Sequence, residues 1–276
     1  MVSAARVVAV VVAFLVSQAT GVAHDKWEFL PGGASDDIPG PADGALNVLT
    51  HGAVQTHDLE GTLAQPDRDW MAMPTLLRHS YEARVAGNSL VFDQNSCPPC
   101  ARISRVTAGG TMLTADIGPS GVANDRSVRF MASATQDGSA EYIRVSGPVT
   151  GFTGGAPTAN HQYTLQFFDT TYFLPRFNNA NGQVTILLIQ NTTPFVVSGN
   201  VHFYQGSGTL LHTAPFTVAG HGLGVLNTAA MPAIASLSGS ATIAHDGGWG
   251  GLAAKAVAVE PATGFTFDTP ATTLPR

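Results

Sequence analysis

The clearest pattern of hydrophobic and polar positions lies in the second half of the chain, over residues 184–218. Runs of β-branched and aromatic residues alternate there with short turns rich in Asn, Pro, Gly and Ser. Such strand-length runs, each ended by turn residues, predict a β-meander. In the second run, alternation predicts that Val201 and Phe203 point to one side and His202 and Tyr204 to the other. One pair should line the core, and the other should face water or a neighbouring domain.

The remainder of the second half continues this pattern. Strand-like segments follow at 225–227, 240–245, 252–260 and 264–267. A short helical or irregular stretch is expected at 231–237, and residues 170–182 should form the junction with the first half. About seven short strands in roughly 95 residues predict an immunoglobulin-like β-sandwich for residues 170–276. In this pattern the second half resembles the small immunoglobulin-like modules of bacterial secreted proteins.

Residues 45–169 form a similar series of short alternating segments. In the clearest one, Tyr81, Ala83 and Val85 occupy alternate positions and should share a buried face. About nine such strands, separated by turns, are the spacing expected of a β-sandwich. The fold class is therefore all-β, with two consecutive sandwich domains, at 45–169 and 170–276.

Three motifs in the first half carry a family resemblance. They are the acidic-aromatic turn Asp67-Arg68-Asp69-Trp70, the strand Ser80-Tyr81-Glu82-Ala83-Arg84-Val85, and the closing segments Tyr142-Ile143-Arg144-Val145 and Tyr163-Thr164-Leu165. In this order they are similar to the bacterial pre-peptidase C-terminal domain. The resemblance implies a secreted, jelly-roll-like β-sandwich.

Acidic residues near this turn form a candidate calcium site. Asp67, Asp69 and Glu60 could supply the carboxylate oxygens that Ca²⁺ prefers. The resemblance points the same way, since some members of that family bind calcium through such acids. The alternative is that these carboxylates only cap a turn, in which case the protein has no cofactor.

The N-terminus has the three parts of a secretory signal. Arg6 provides the positive charge, residues 7–16 form a short apolar run, and residues 21–23 are small. We expect a cleaved signal peptide at 1–23, an exposed leader at 24–44, and a secreted, periplasmic or cell-surface location. A retained anchor is the alternative. The apolar run is shorter than the roughly 20 residues of a membrane span, so no stable membrane insertion is expected after cleavage.

The charge pattern narrows the range of partners. Charged residues make up only 12% of the chain, and the net charge is −6. An acidic protein with few basic residues lacks the positive surface that nucleic acid requires. Between residues 177 and 268 the Asp, Glu, Lys and Arg residues are limited to Asp246, Lys255, Glu260 and Asp268. A surface with so little charge leaves self-association open.

The two cysteines of the chain are Cys97 and Cys100, separated by two prolines. In an oxidising compartment they predict a local disulfide. A redox pair would favour a helix N-terminus, whereas the flanks here are strand-like. A zinc site would need further ligands, and no second C-x-x-C is present.

The remaining candidates point to binding and not to catalysis. Trp249 lies in a Gly-rich turn, His245 precedes that turn, and Tyr204 is on a strand; these three are candidate binding residues. Asn191-Thr192-Thr193 is a formal glycosylation sequence. No G-x-S-x-G, H-E-x-x-H or Walker motif occurs, so we predict no catalytic residues.

These patterns favour a non-enzymatic binding or accessory protein. It would present sandwich loops to an extracellular polysaccharide, a protein or a cell surface. The alternatives are a structural or assembly protein of the cell envelope, and a hydrolase with a convergent site, because a sandwich fold does not itself dictate function.

Overall fold

The structure is a computed structural model and describes most of the chain. The described residues are 47–59, 61–62, 65–66, 68–87, 101–107, 109–116, 125–132, 141–146 and 162–275. The expected signal peptide and leader, Glu60, Asp67, Cys97 and Cys100 lie outside these ranges.

The predicted all-β class is confirmed. The strands, in chain order, are β1 (Val54–Asp58), β2 (Gly61–Thr62), β3 (Gln65–Pro66), β4 (Arg68–Met73), β5 (Ser80–Gly87), β6 (Arg102–Val106), β7 (Met112–Ala115), β8 (Asp125–Met131), β9 (Glu141–Ser146), β10 (Gln162–Asp169), β11 (Tyr172–Asn178), β12 (Val184–Asn191), β13 (Val197–Gln205), β14 (Leu210–Val218), β15 (Leu223–Asn227), β16 (Ser238–His245), β17 (Leu252–Glu260) and β18 (Phe265–Pro270). There are two short 3₁₀ helices, Thr228–Ala230 and Pro232–Ile234. The second lies within the stretch 231–237 that was expected to be helical or irregular, and the first precedes it.

The strands form two β-sandwiches. In the first, a sheet with the order β1-β10-β5-β8 faces one with the order β4-β9-β6-β7; β2 and β3 form a separate ribbon. In the second, the orders are β11-β16-β13-β14 and β15-β12-β17-β18. Every strand pair in these sheets is antiparallel.

Each sandwich has its own core. The first apolar cluster draws its side chains from residues between 49 and 167, including Tyr81, Ala83 and Val85, as the alternation of β5 predicts. The second draws its side chains from residues between 172 and 256, including Val201 and Phe203. The first cluster ends at Phe167, and the second begins at Tyr172.

Two segments differ from expectation. The junction at 170–182 contains a full strand, β11, which joins the second sandwich by pairing with β16. Its apolar pattern is hard to recognise because the register shifts between Leu174 and Phe177, around Pro175 and Arg176. The expected acidic-aromatic turn is strand at its described positions, since Arg68, Asp69 and Trp70 lie in β4 and Asp69 pairs with Val145.

Phe203 tests whether the second core governs stability. Its side chain is fully buried and meets the Phe177 ring edge-on at 5.2 Å between centroids. Phe203→Ala should lower the free energy of unfolding by about 3–5 kcal/mol, because it removes an aromatic ring and leaves a cavity. The measurement is urea denaturation. The control Gln205→Ala, at an exposed position of the same strand, should change stability by no more than about 0.5 kcal/mol.

Candidate functional site

A row of three side chains crosses the outer face of the first sandwich. Phe168, Glu82 and Arg129 are paired in register across β10, β5 and β8. They point away from the core that contains Tyr81 and Phe167. An outward-facing carboxylate would normally be solvated, yet the Glu82 side chain is fully buried. Its burial comes from the second sandwich, which packs over this row.

The loop between β16 and β17, residues 246–251, makes that contact. The backbone N–H of Trp249 donates to Glu82 Oε2 at 2.9 Å, and its indole stacks on Phe168 at 5.2 Å between centroids. A Cβ on Gly248 would lie 3.1 Å from both Arg129 Nη2 and Glu82 Oε1, so the backbone approaches as closely as a glycine allows. We call Glu82, Arg129, Phe168, Gly248 and Trp249 the inter-sandwich seam.

Charge pairing makes the buried carboxylate of the seam tolerable. Arg129 Nε donates to Glu82 Oε1 at 2.8 Å, and Arg84 Nη2 lies 3.6 Å from Glu82 Oε2. Burial alone would raise the pKa of Glu82. The positive charge of Arg129, the Trp249 N–H and the Arg84 guanidinium together outweigh that effect and hold the pKa below its usual value. Glu82 is therefore ionised at neutral pH.

His245 holds the two sandwiches together beside the seam. Its ring is fully buried, with Nε2 3.0 Å from the carbonyl oxygen of Thr170, which lies between β10 and β11. The N–H of Gly247 donates to Nδ1 at 3.1 Å, which assigns the ring proton to Nε2. Burial lowers the pKa of His245 to about 4, so the ring is neutral at pH 7.

A second histidine marks the same boundary. His202 lies on the opposite side of β13 from Val201 and Phe203, as predicted, and is buried where the first sandwich covers that side. Burial, with the nearby charges of Arg78 and His79, lowers the pKa of His202 to about 4. The ring Nδ1 is 3.0 Å from Thr213 Oγ1. This side of β13 was expected to face either water or a neighbouring domain, and at His202 it faces the neighbouring domain.

His79 forms the closest histidine–carboxylate pair among the described residues. Its Nδ1 lies 2.7 Å from Asp169 Oδ2, and Asp169 Oδ1 accepts the N–H of Thr171 at 2.9 Å. Burial alone would raise the pKa of Asp169, but these bonds hold it below its usual value. The imidazole lies against the rings of Tyr81 and Phe173. This pair therefore ties the end of β10 to the start of β5 among aromatic side chains.

The residues predicted for binding and for calcium do not converge. Trp249 and His245 lie at or beside the seam, whereas Tyr204 is half-buried on the outward side of β13. Asp69 is buried in the first sandwich and accepts a hydrogen bond from the Tyr163 hydroxyl, so the described part of the calcium set is used inside the core. Among the described residues, no group of three or more His, Cys, Asp or Glu side chains is arranged to hold a metal ion.

The loop between β12 and β13 forms an exposed feature that the sequence patterns missed. Asn191, the last residue of β12, is fully buried, and its Nδ2 donates to the carbonyl oxygens of Phe195, Val218 and Ala219 at 2.6–3.2 Å. Asn191 Oδ1 accepts the N–H of Thr193 at 2.9 Å. The formal glycosylation sequence therefore has its acceptor amide inside the folded domain.

Two neighbouring turns hold this loop in place. His221 N–H donates to the Thr193 carbonyl at 2.8 Å, and a Cβ on Gly220 would lie only 2.2 Å from the Pro194 carbonyl oxygen. On the other side, Thr192 N–H donates to the Gly251 carbonyl at 3.0 Å. We call the three connected segments, 191–196, 219–222 and 246–251, the loop tip.

The loop tip presents apolar side chains to solvent. Phe195 is 73% exposed and Val196 62% exposed. A turn signal at Asn191-Thr192-Thr193-Pro194 was visible in the sequence, but nothing there indicated that Phe195 would stay outside the core. The described residues also include no helix long and apolar enough to cross a membrane.

Comparison with models of known protein families found no match for this chain, and comparison with curated proteins found none either.

His245 should make stability depend on pH. Its pKa of about 4 in the folded state lies below the ordinary 6.5, so the unfolded chain binds a proton first as the pH falls. The free energy of unfolding should therefore decrease between pH 6.5 and 4, by about 3 kcal/mol from this group. His202 acts in the same direction. Urea denaturation at pH 7.5 and 4.5 measures the change.

His245→Gln should reduce that pH dependence, because an amide can still donate to Thr170 without titrating. His221→Gln, at an exposed position of the loop tip, is the control and should leave the pH dependence unaltered. An undiminished pH dependence in the His245 variant would contradict the assignment.

Removing the charge of Glu82 should loosen the seam. Glu82→Gln leaves Arg129 without its counter-charge and should lower the free energy of unfolding by about 3 kcal/mol. It should also speed hydrogen exchange at the Trp249 amide. Asp268→Asn breaks the exposed ion pair with Lys255 and should cost less than about 1 kcal/mol. If both variants lowered the free energy of unfolding equally, the seam would contribute no more to stability than an exposed ion pair does.

Proposed function

We propose that this protein is a secreted, non-catalytic binding protein whose loop tip docks onto a protein on an extracellular surface. The observation that carries the proposal is Phe195, a large aromatic side chain held in solvent by a hydrogen-bonded loop. Export rests on the signal expected at residues 1–23, which remains a prediction.

Rigidity is the first support. A binding loop that is already ordered loses little conformational entropy when it docks, so more of its contact energy appears as affinity. The buried Asn191 side chain holds the loop 191–196 through hydrogen bonds. The turn at 219–222 and the loop at 246–251 form backbone hydrogen bonds to it on either side. Rigid aromatic side chains in such loops are common interaction hot spots.

The seam extends this support to the first sandwich. The loop 246–251 bonds to Glu82 through Trp249 and to Thr192 through Gly250 and Gly251. One short segment of the loop tip thus joins the first sandwich to the loop 191–196. Through this segment the first domain helps to fix the orientation of Phe195. The first domain therefore has a structural role in binding, although only the second domain would contact the partner.

The chemistry of the loop favours a protein over a polysaccharide. Pro194, Phe195 and Val196 form an exposed apolar strip, and the Asn191 amide and Thr193 hydroxyl are engaged within the loop. A sugar buried against such a strip would lose water from its hydroxyls without gaining hydrogen bonds, which costs free energy. An apolar pocket on a protein has no such penalty.

The titratable groups at the seam and near it support a non-catalytic role. Glu82, His245 and His79 each make hydrogen bonds that join strands or sandwiches. These groups are already engaged in hydrogen bonds that hold the folded structure together. A reacting molecule could reach them only by breaking those hydrogen bonds.

Retention on whole cells tests the proposal. The wild-type protein should bind to cells, lose binding when the cells are pretreated with protease, and show no retention on insoluble glycans. Phe195→Ser should weaken retention at least about tenfold, as expected for a central aromatic hot spot. The apparent dissociation constant measured by titration is the readout.

Phe265→Ser is the matched control. Phe265 is 64% exposed and lies at the far end of β17 from the loop tip, so its loss should leave retention unchanged. Equal retention of the Phe195 variant and the wild type would overturn the proposal. Retention on glycans that survives protease treatment would also overturn it.

A further inference from the structure

The sheet β15-β12-β17-β18 has an apolar side that faces away from its own core. Leu187, Ile189 and Ala256 point into the sandwich. The alternate positions form rows across the strands: Val225, Leu188, Lys255 and Pro270 in one, and Asn227, Ile186, Val257 and Asp268 in the next. Two further rows lie on either side of these: one contains Val184 and Val259, and the other contains Leu223 and Gln190. We call this side the outer apolar face.

This face is open to solvent. Leu223 is 61% exposed and Val225 59% exposed, and the central side chains Ile186, Leu188 and Val257 are only half-buried. Soluble proteins seldom leave a continuous aliphatic sheet surface uncovered unless it binds something. The face also lies on the sheet opposite the one that packs against the first sandwich, so the seam leaves it available.

The charges on the face complement those of an identical surface. Lys255 and Asp268 are its charged residues, paired at 2.7 Å and about half exposed. The protein as a whole carries a net charge of −6, so two copies repel each other over most orientations. Contact through this face brings no excess of like charge together at the interface and leaves neither charge without a counter-charge.

The shape and size of the face suit sheet-on-sheet packing. Four strands about 4.8 Å apart, with a mean length of about 25 Å, give a footprint of about 450–500 Å² per copy. The two copies together would bury about 900–1,000 Å², below the roughly 1,200–2,000 Å² of stable interfaces, which indicates a weak and reversible complex. Two such sheets can stack about 10 Å apart, as the two sheets within one sandwich do.

We propose that the outer apolar face binds the same face of a second copy of this chain. The dimer is two-fold symmetric, with Lys255 of each copy opposite Asp268 of the other. This surface is separate from the loop tip, so the dimer does not depend on the proposed partner of Phe195. It would present two loop tips on one particle.

Sedimentation equilibrium of the purified protein over a range of concentrations tests the proposal. The wild type should pass from monomer to dimer as concentration rises. Val225→Glu should weaken self-association at least tenfold, because it places a charge on the apolar face at a position exposed enough to spare the fold. A wild type that stays monomeric, or a Val225 variant that associates like the wild type, would overturn the proposal.

Charge exchange gives a sharper test that does not depend on apolar contacts. Lys255→Glu makes the face wholly negative, and Asp268→Lys makes it wholly positive. Each variant alone should be monomeric, whereas an equimolar mixture should form a mixed dimer. Both positions are about half exposed, so the fold should be kept, and circular dichroism checks this. A mixture that remains monomeric while both variants are folded would overturn the crosswise pairing.

Phe195→Ser separates this inference from the proposed function. That variant should dimerise like the wild type while losing retention on cells, and Val225→Glu should show the reverse when retention is measured at concentrations where the wild type is monomeric. A Phe195 variant that loses both properties would overturn the assignment of dimerisation to the outer apolar face.

Discussion

The arrangement of the molecule depends on a carboxylate buried between two β-sandwiches. Glu82 projects from the outer face of the first sandwich, and its charge is compensated by Arg129, Arg84 and the backbone N–H of Trp249. A buried charge is tolerated only when its partners are held at close range. The second sandwich supplies one of those partners, so the two domains satisfy this carboxylate together and not separately.

The seam affects the exposed loop 191–196 because the loop 246–251, which bonds to Glu82, also bonds to Thr192. Residues 246–251 reach Glu82 through Trp249 and Thr192 through Gly250 and Gly251. His245 and His202 are kept neutral by burial on the same boundary. Neutral rings at this boundary permit close packing at pH 7, and their protonation opposes it in acid. The domain contact and the geometry of the exposed loop are thus parts of one network.

Much of the fold was accessible from local pattern. Alternation in β5 identified Tyr81, Ala83 and Val85 as core residues, because a strand places alternate side chains on opposite faces. In β13 alternation paired Val201 with Phe203 on one face, and the structure shows that this face is the buried one. The pattern failed where the backbone departs from regular pairing, as in β11 with its register shift, and where a polar side chain serves the core, as Asp69 does through Tyr163. Neither event leaves a local signature.

The sequence by itself determined the all-β class, the strand faces and the low charge of the second half, since these follow from residue type and period alone. Only the tertiary structure decided what each outward face meets. His202 and Glu82 became buried, while Phe195, Val225 and Leu223 stayed in solvent. Strand period assigns a side chain to a face, but burial of that face depends on which other element packs over it, and that contact joins residues far apart in the chain.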